Sequence, residues 1–129
     1  MTEGGDPDKL RRGAIWKSEI PECIHQNHIF RVRLSQNYLL SEYTCCLVGS
    51  AYGKKYFLRA AKQTTGIATI NSTQLKAFPV YTPPLDLQTQ FAAIVEKTEQ
   101  QKALMQQSLA QMETNMSSLM QRAFKGELF

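Results

Sequence analysis

Cys23, His25, His28, Cys45 and Cys46 are the side chains of this chain best suited to holding a soft metal ion. Structural zinc takes four Cys or His ligands, usually supplied as closely spaced pairs. The order C-x-H-x2-H, followed far downstream by a vicinal Cys pair, is not such a pattern, so packed or surface side chains are expected. Three cysteines, two of them adjacent, do not make a secreted disulfide framework. Reduced thiols and a cytoplasmic location follow. Tyr81-Thr82-Pro83-Pro84-Leu85 comes near a methyl-transfer motif in which Asp or Asn precedes two prolines and an aromatic follows. Thr82 and Leu85 occupy those positions instead, and no glycine-rich cofactor loop accompanies them. P-loop, serine-elbow and nuclease-type acidic patterns are absent. The sequence therefore carries no catalytic constellation and calls for no cofactor.

What remains is chemistry suited to a polyanion. Residues 1–85 carry eleven Lys and Arg against six Asp and Glu, a balance of +5. Residues 86–129 carry four against five, a balance of −1. Lys54, Lys55 and Lys62 could neutralise phosphates and give salt-dependent affinity. Gln63, Thr64 and Thr65 have the donors and acceptors that read base edges. A solvated helix and an ordinary polar turn are the plain alternative for the same residues. Arg11, Arg12, Lys17, Arg31 and Arg33 are weaker candidates.

These residues need elements to hold them. Residues 1–20 are dense in turn formers around Glu3-Gly4-Gly5-Asp6-Pro7-Asp8. The alternation in His28–Leu34 predicts a strand with Arg31 and Arg33 on one face. Leu39–Val48 and Lys54–Lys62 predict two short helices, interrupted by Gly49 and Gly53. Gln63-Thr64-Thr65-Gly66 reads as a tight polar loop, Ile67–Ile70 as a short strand, and Asn71-Ser72-Thr73 as the cap of a helical turn at Gln74–Ala77. Phe78-Pro79-Val80 is extended, and Tyr81-Thr82-Pro83-Pro84 is a stiff linker.

From Asp86 to Phe124 there is neither proline nor glycine, and helix formers dominate. Asp86 is the expected N-terminal cap and Gly126 the stop. Leu87, Phe91, Ile94, Thr98, Gln101, Met105, Leu109, Met112, Met116, Leu119 and Ala123 follow one stripe in steps of four and three. This is a heptad seam with a stutter near Met105. Such a helix would run roughly 58 Å. A domain of the remaining length is about 25–30 Å across, so the helix is expected to project and to need a partner helix over its stripe. No apolar run approaches the ~20 residues that span a bilayer.

Gly53 onward reads GKKYF, TTGIATIN, FPVYTPPLDLQTQFAAIVEKTE and SSLMQRAFKGELF. In this order the pieces resemble the end of a half-unit of type I restriction–modification DNA specificity subunits. The resemblance rests on Thr64, Thr65, Gly66, Ala68, Asn71, Pro83, Pro84, Leu85, Gln88, Leu119, Ala123, Phe124, Gly126, Glu127 and Leu128. EGGDPDKL also looks like an internal segment of such a recognition domain, whereas Arg12 stands where a glycine would precede Gly13. Half-units of the family begin well before Met1, so a partial domain is implied.

The expected fold is α+β: a small partial target-recognition domain, residues 1–82, followed by one long projecting coiled-coil-type helix with a C-terminal tail, residues 83–129. The resemblance implies a non-catalytic subunit that reads double-stranded DNA and docks methyltransferase subunits, and through them the restriction subunit. Phe91, Ile94, Met105, Leu109, Met112, Met116 and Leu119 form the expected partner-helix seam, which could also support a homodimer. The alternative is an interaction protein that no longer binds DNA and pairs only through the helix. No membrane partner is expected.

Overall fold

The computed structural model describes residues 1–7, 10 and 12–127. Asp8, Lys9 and Arg11, from the turn-rich opening and the weaker DNA candidates, and Leu128 of the C-terminal motif lie outside the described residues, as does Phe129. The chain divides into two compact units, Met1–Ala92 and Ala93–Phe129. The class is α+β with a long C-terminal helix, as the sequence implies.

In the first unit, three short strands form an antiparallel sheet: β1 (Gly4–Gly5), β2 (Lys62–Thr64) and β3 (Ile67–Thr69), in the order β1-β3-β2. Gln63 lies opposite Ala68, Thr64 opposite Ile67, and Lys62 opposite Thr69. Directly opposed residues share a face of the sheet. Ala68, with Ile70 two residues on, turns into the core. Lys62, Thr64, Ile67 and Thr69 occupy the other face. All four are exposed there.

Helices α1 (Ser41–Gly49) and α2 (Ala51–Ala60) meet at Ser50. Ser50 ends one helix and caps the next. Its hydroxyl donates to Leu47 O at 2.6 Å and accepts from Gly53 N at 3.4 Å. The joint is so tight that a Cβ on Gly53 would overlap the Val48 carbonyl oxygen. Gly53 thus does not break a helix, as its type suggested, but lets α2 start three residues before Lys54.

The core is aromatic. Phe57 of α2 is fully buried and stacks on Phe78, with ring centroids 4.9 Å apart. Tyr52 and Tyr56, one helical turn apart, flank Phe78 at 5.6 and 5.2 Å. Their hydroxyls donate to Pro79 O and Gln74 O, both at 2.9 Å, so the polar ends of these rings are satisfied. Desolvation first, and the neighbouring Tyr81 second, raise the Tyr52 hydroxyl above the ordinary tyrosine range. Leu10, Ala68 and Ile70 complete the buried set. Helix α3 (Ser72–Lys76) is closed by a reciprocal capping box: Gln74 N–H donates to Asn71 Oδ1 and Asn71 N–H to Gln74 Oε1. Gln74 Nε2 also donates to Ala60 O, the last residue of α2.

Two expectations are corrected. His28–Leu34 is not a strand. It makes one bridge, Thr2 to Ile29, with backbone bonds between Met1–Glu3 and His28–Phe30. Alternation builds a strand only where a ladder accepts its N–H and C=O groups. Here only the start of the segment meets one, and Phe30 alone among its apolar side chains packs on the core. Half of the polar loop Gln63–Gly66 is also strand. Lys62–Thr64 pairs with β3, and only Thr65-Gly66 turns, with Gly66 at φ +80°.

Helix α4 (Leu85–Phe124) is 40 residues long, about 60 Å of helix. It begins one residue before the expected cap. Pro84 O accepts from Leu87 N and Gln88 N, and Asp86 sits in the first turn, where a negative charge favours the helix dipole. At the other end Gly126 adopts φ +71°, donating to Ala123 O while Glu127 N donates to Arg122 O. These two bonds make a Schellman stop, as expected of Gly126.

The start of α4 is tied to the rest of the first unit by Gln88, which is 0% exposed. Leu40 N–H donates to Gln88 Oε1 at 2.9 Å. Gln88 Nε2 donates to Tyr38 O at 2.9 Å and to Pro83 O at 2.8 Å. Leu40 is the N-cap of α1, and its own side chain makes no capping bond. The amide from α4 thus binds the backbone where α1 begins. Beside it, the Tyr43 hydroxyl donates to Tyr81 O at 2.9 Å.

Gly53→Ala should lower stability by about 2–3 kcal/mol, because the obstructing atom is backbone and cannot swing away. A urea midpoint equal to the wild type would refute the tight-joint account. Gln88→Leu should lower stability by about 3 kcal/mol, by stranding a buried N–H and two carbonyls. Gln88→Glu should behave differently with pH. A carboxylate there faces two carbonyls, so its folded-state pKa would be raised, and the protonated form would hold the site. Its stability is then present at low pH and lost as pH rises through the glutamate range. Thermal melts of this variant that improve with rising pH would contradict the geometry.

Candidate nucleic-acid interface

The six residues expected to meet DNA follow one another along α2, β2 and the turn. Lys54 and Lys55 lie in the middle of α2. Lys62, Gln63 and Thr64 form β2, and Thr65 opens the turn to β3. Lys55, Lys62, Gln63, Thr64 and Thr65 are exposed, and Lys54 is partly so. Arg59, not singled out from sequence, lies one helical turn beyond Lys55 and is also exposed. Lys55, Arg59 and Lys62 enter no ion pair among the described residues. Three solvated cations without acidic partners leave their field uncompensated locally.

The polar readers are partly engaged within the chain. Gln63 Nε2 donates to Leu58 O at 3.0 Å, which binds the start of β2 to the last turn of α2. The Thr64 hydroxyl donates to Ile67 O at 3.4 Å, across the hairpin end. Of the weaker candidates, Arg12, Lys17, Arg31 and Arg33 are all exposed.

Several motif residues have structural duties. Gly66 supplies the positive φ of the hairpin turn, Ala68 is fully buried, Asn71 caps α3, and Gln88 anchors α4. The T-T-G-x-A-x-x-N and P-P-L-x-x-Q spacings are thus explained by turn, core, cap and anchor. Gln88 was legible as a motif residue but not as an anchor, and Arg59 as an exposed helix residue but not as part of the basic stretch. The burial of Gln88 depends on partners distant in sequence, which a helical pattern does not show.

The seam residues divide between the units. Phe91, in the first unit, meets Tyr43 edge-on with ring centroids 6.0 Å apart. Ile94, Met105, Leu109, Met112, Met116 and Leu119 lie in the second unit and are all exposed, Met105 at 71% and Met112 at 64%. From Glu96 to Glu127 every residue is exposed.

Cys23 and Cys46 are exposed, Cys45 is half-buried, and no disulfide joins them. Among the described residues no group of three or more His, Cys, Asp or Glu comes together in a way that could hold a metal ion. No helix of the described residues is long and apolar enough to cross a membrane.

Comparison with known proteins agrees with this arrangement. Residues 15–114 match the family model of the type I restriction modification DNA specificity domain. Over 109 residues the chain is 28% identical to the type I restriction enzyme StySPI specificity subunit of Salmonella potsdam, an alignment covering 79% of this chain and 23% of that subunit. The chain therefore spans about a quarter of the length of this curated relative. No solved structure matches. The family match takes in α1, α2, the β2–β3 hairpin, α3 and most of α4, which are the elements built above from their residues. This chain belongs to the family of type I restriction–modification DNA specificity domains.

Proposed function

We propose that this chain recognises double-stranded DNA for a type I restriction–modification system and docks that system's methyltransferase subunits through α4. The restriction subunit would be reached indirectly, through the methyltransferase. The work is non-catalytic, as it is for specificity subunits of this family, and would take place in the cytoplasm. In this reading residues 1–82 are a recognition module and residues 83–129 a spacer and docking element.

The observation that carries the reading is the family match over residues 15–114, because it includes both the basic α2–β2 stretch and the seam as far as Met112. Lys54, Lys55 and Lys62 would meet phosphates, and Gln63, Thr64 and Thr65 would face base edges. The exposed stripe from Ile94 to Leu119 supports docking, because large apolar side chains repeated along one helix are covered by a partner when one is present. That partner could be a methyltransferase helix or a second copy of the chain.

Two tests separate the two halves of the proposal. Alanine at Lys54, Lys55 and Lys62 together should flatten the dependence of log affinity on log salt by about 0.9 for each phosphate these lysines neutralise. An unchanged slope in gel-shift titrations would remove these lysines from the interface. No binding of the wild-type chain to any duplex at low salt, with tight methyltransferase binding intact, would favour an interaction protein that does not read DNA. Met105→Asp or Leu109→Asp should abolish methyltransferase pull-down or self-association, since a charge in a covered seam has no partner. Light scattering and pull-down identical to the wild type would sink the seam assignment.

A further inference from the structure

The end of the β2–β3 hairpin is narrower than the rest of the sheet. Strand β1 pairs with β3 only at Thr69 and Ala68. At Thr64 and Ile67 the sheet is therefore two strands wide, about 4.8 Å between backbones. A two-stranded ribbon of that width enters a major groove about 12 Å across, whereas the broader sheet behind it does not.

The side chains at this end are unusual for a solvated turn. Ile67 is 52% exposed beside the turn, on the face it shares with Thr64, Thr69 and Lys62. It is β-branched and apolar, and it stands outside the core cluster. Thr64, opposite it, has its hydroxyl directed to Ile67 O. Gln63, on the other face, has its amide donor on Leu58 O. The donors of Gln63 and Thr64 are thus engaged internally, while beside the exposed Thr65 of the turn an aliphatic side chain is presented outward. Lys62 on the same face, with Lys55 and Arg59 on α2, supplies positive charge without acidic partners among the described residues, which suits a polyanionic occupant rather than an apolar one. In a major groove the apolar feature that standard bases offer such a side chain is the 5-methyl group of thymine.

We propose that Ile67 is a specificity-determining residue that packs against a thymine methyl group when the hairpin end lies in the major groove. The inference rests on the DNA-recognition reading above and adds to it the one base feature this hairpin is built to sense.

The test uses the full chain and a random-sequence duplex pool. Bound sequences are selected, then synthesised with thymine or with uracil, which lacks only that methyl group. Wild type should bind the uracil form roughly fourfold more weakly for each methyl met, the scale set by burying one methyl-sized group. Ile67→Ala should bind the thymine form with the same loss and no longer tell the two apart, while Ile67→Val should keep most of the difference. Because Ile67 is exposed and outside the core, circular dichroism of both variants should match the wild type. Equal wild-type affinity for thymine and uracil duplexes overturns the inference, as does discrimination that survives in Ile67→Ala. Uniform, salt-dependent binding with no sequence enriched also overturns it, while leaving DNA binding in place. Failure to bind any duplex would instead remove the reading on which it rests.

Discussion

A primary amide taken out of water is unfavourable unless its donors and its acceptor all find partners. Gln88 meets that condition with three backbone groups, from Leu40, Tyr38 and Pro83. The arrangement is directional, since only an amide offers an acceptor and two donors at that place. A hydrophobic residue would fill the volume but leave the carbonyls of Tyr38 and Pro83 unanswered. The start of α4, the entrance to α1 and the proline linker are therefore held together by one side chain.

The two units answer to different forces. In Met1–Ala92 an aromatic cluster around Phe57 and Phe78 supplies the burial, and caps at Ser50 and Asn71 complete the backbone bonding. In Ala93–Phe129 no residue is buried among those described. That helix is sustained by its composition, its Schellman stop and local pairs such as Lys102 with Glu99 at 3.6 Å. An exposed pair of this kind contributes little. The sharp difference in burial matches the difference in charge, with the positive excess in the first 85 residues and near balance after them.

Much of this was legible beforehand. The long helix declared itself through an absence of breakers and a repeat in steps of three and four, which are local properties. Asn71 and Gly126 were legible for the same reason, because a cap and a stop act within a few residues. What was not legible depended on neighbours distant in sequence. Whether His28–Leu34 became a strand depended on a ladder partner, and Thr2 offered only one bridge. Whether Gln63 and Thr64 were loop or strand depended on pairing with Ala68 and Ile67. Gln88 stood out as a motif residue, but not as an anchor, because its role lies in partners some fifty residues upstream. The basic and polar residues of the candidate interface were legible by type, but their internal hydrogen bonds were not.

The joint at Ser50 has a consequence for how this family segment can vary. One residue closes α1 and opens α2, and a neighbouring carbonyl fills the space a Gly53 side chain would need. Such a hinge has no slack. A single inserted residue would turn α2 by about 100° about its axis. Phe57 would then swing out of its stack with Phe78, and the cations of α2 would face another way. Length changes that surface loops ordinarily absorb are barred from this point, so divergence there must proceed by exchange of side chains at constant spacing.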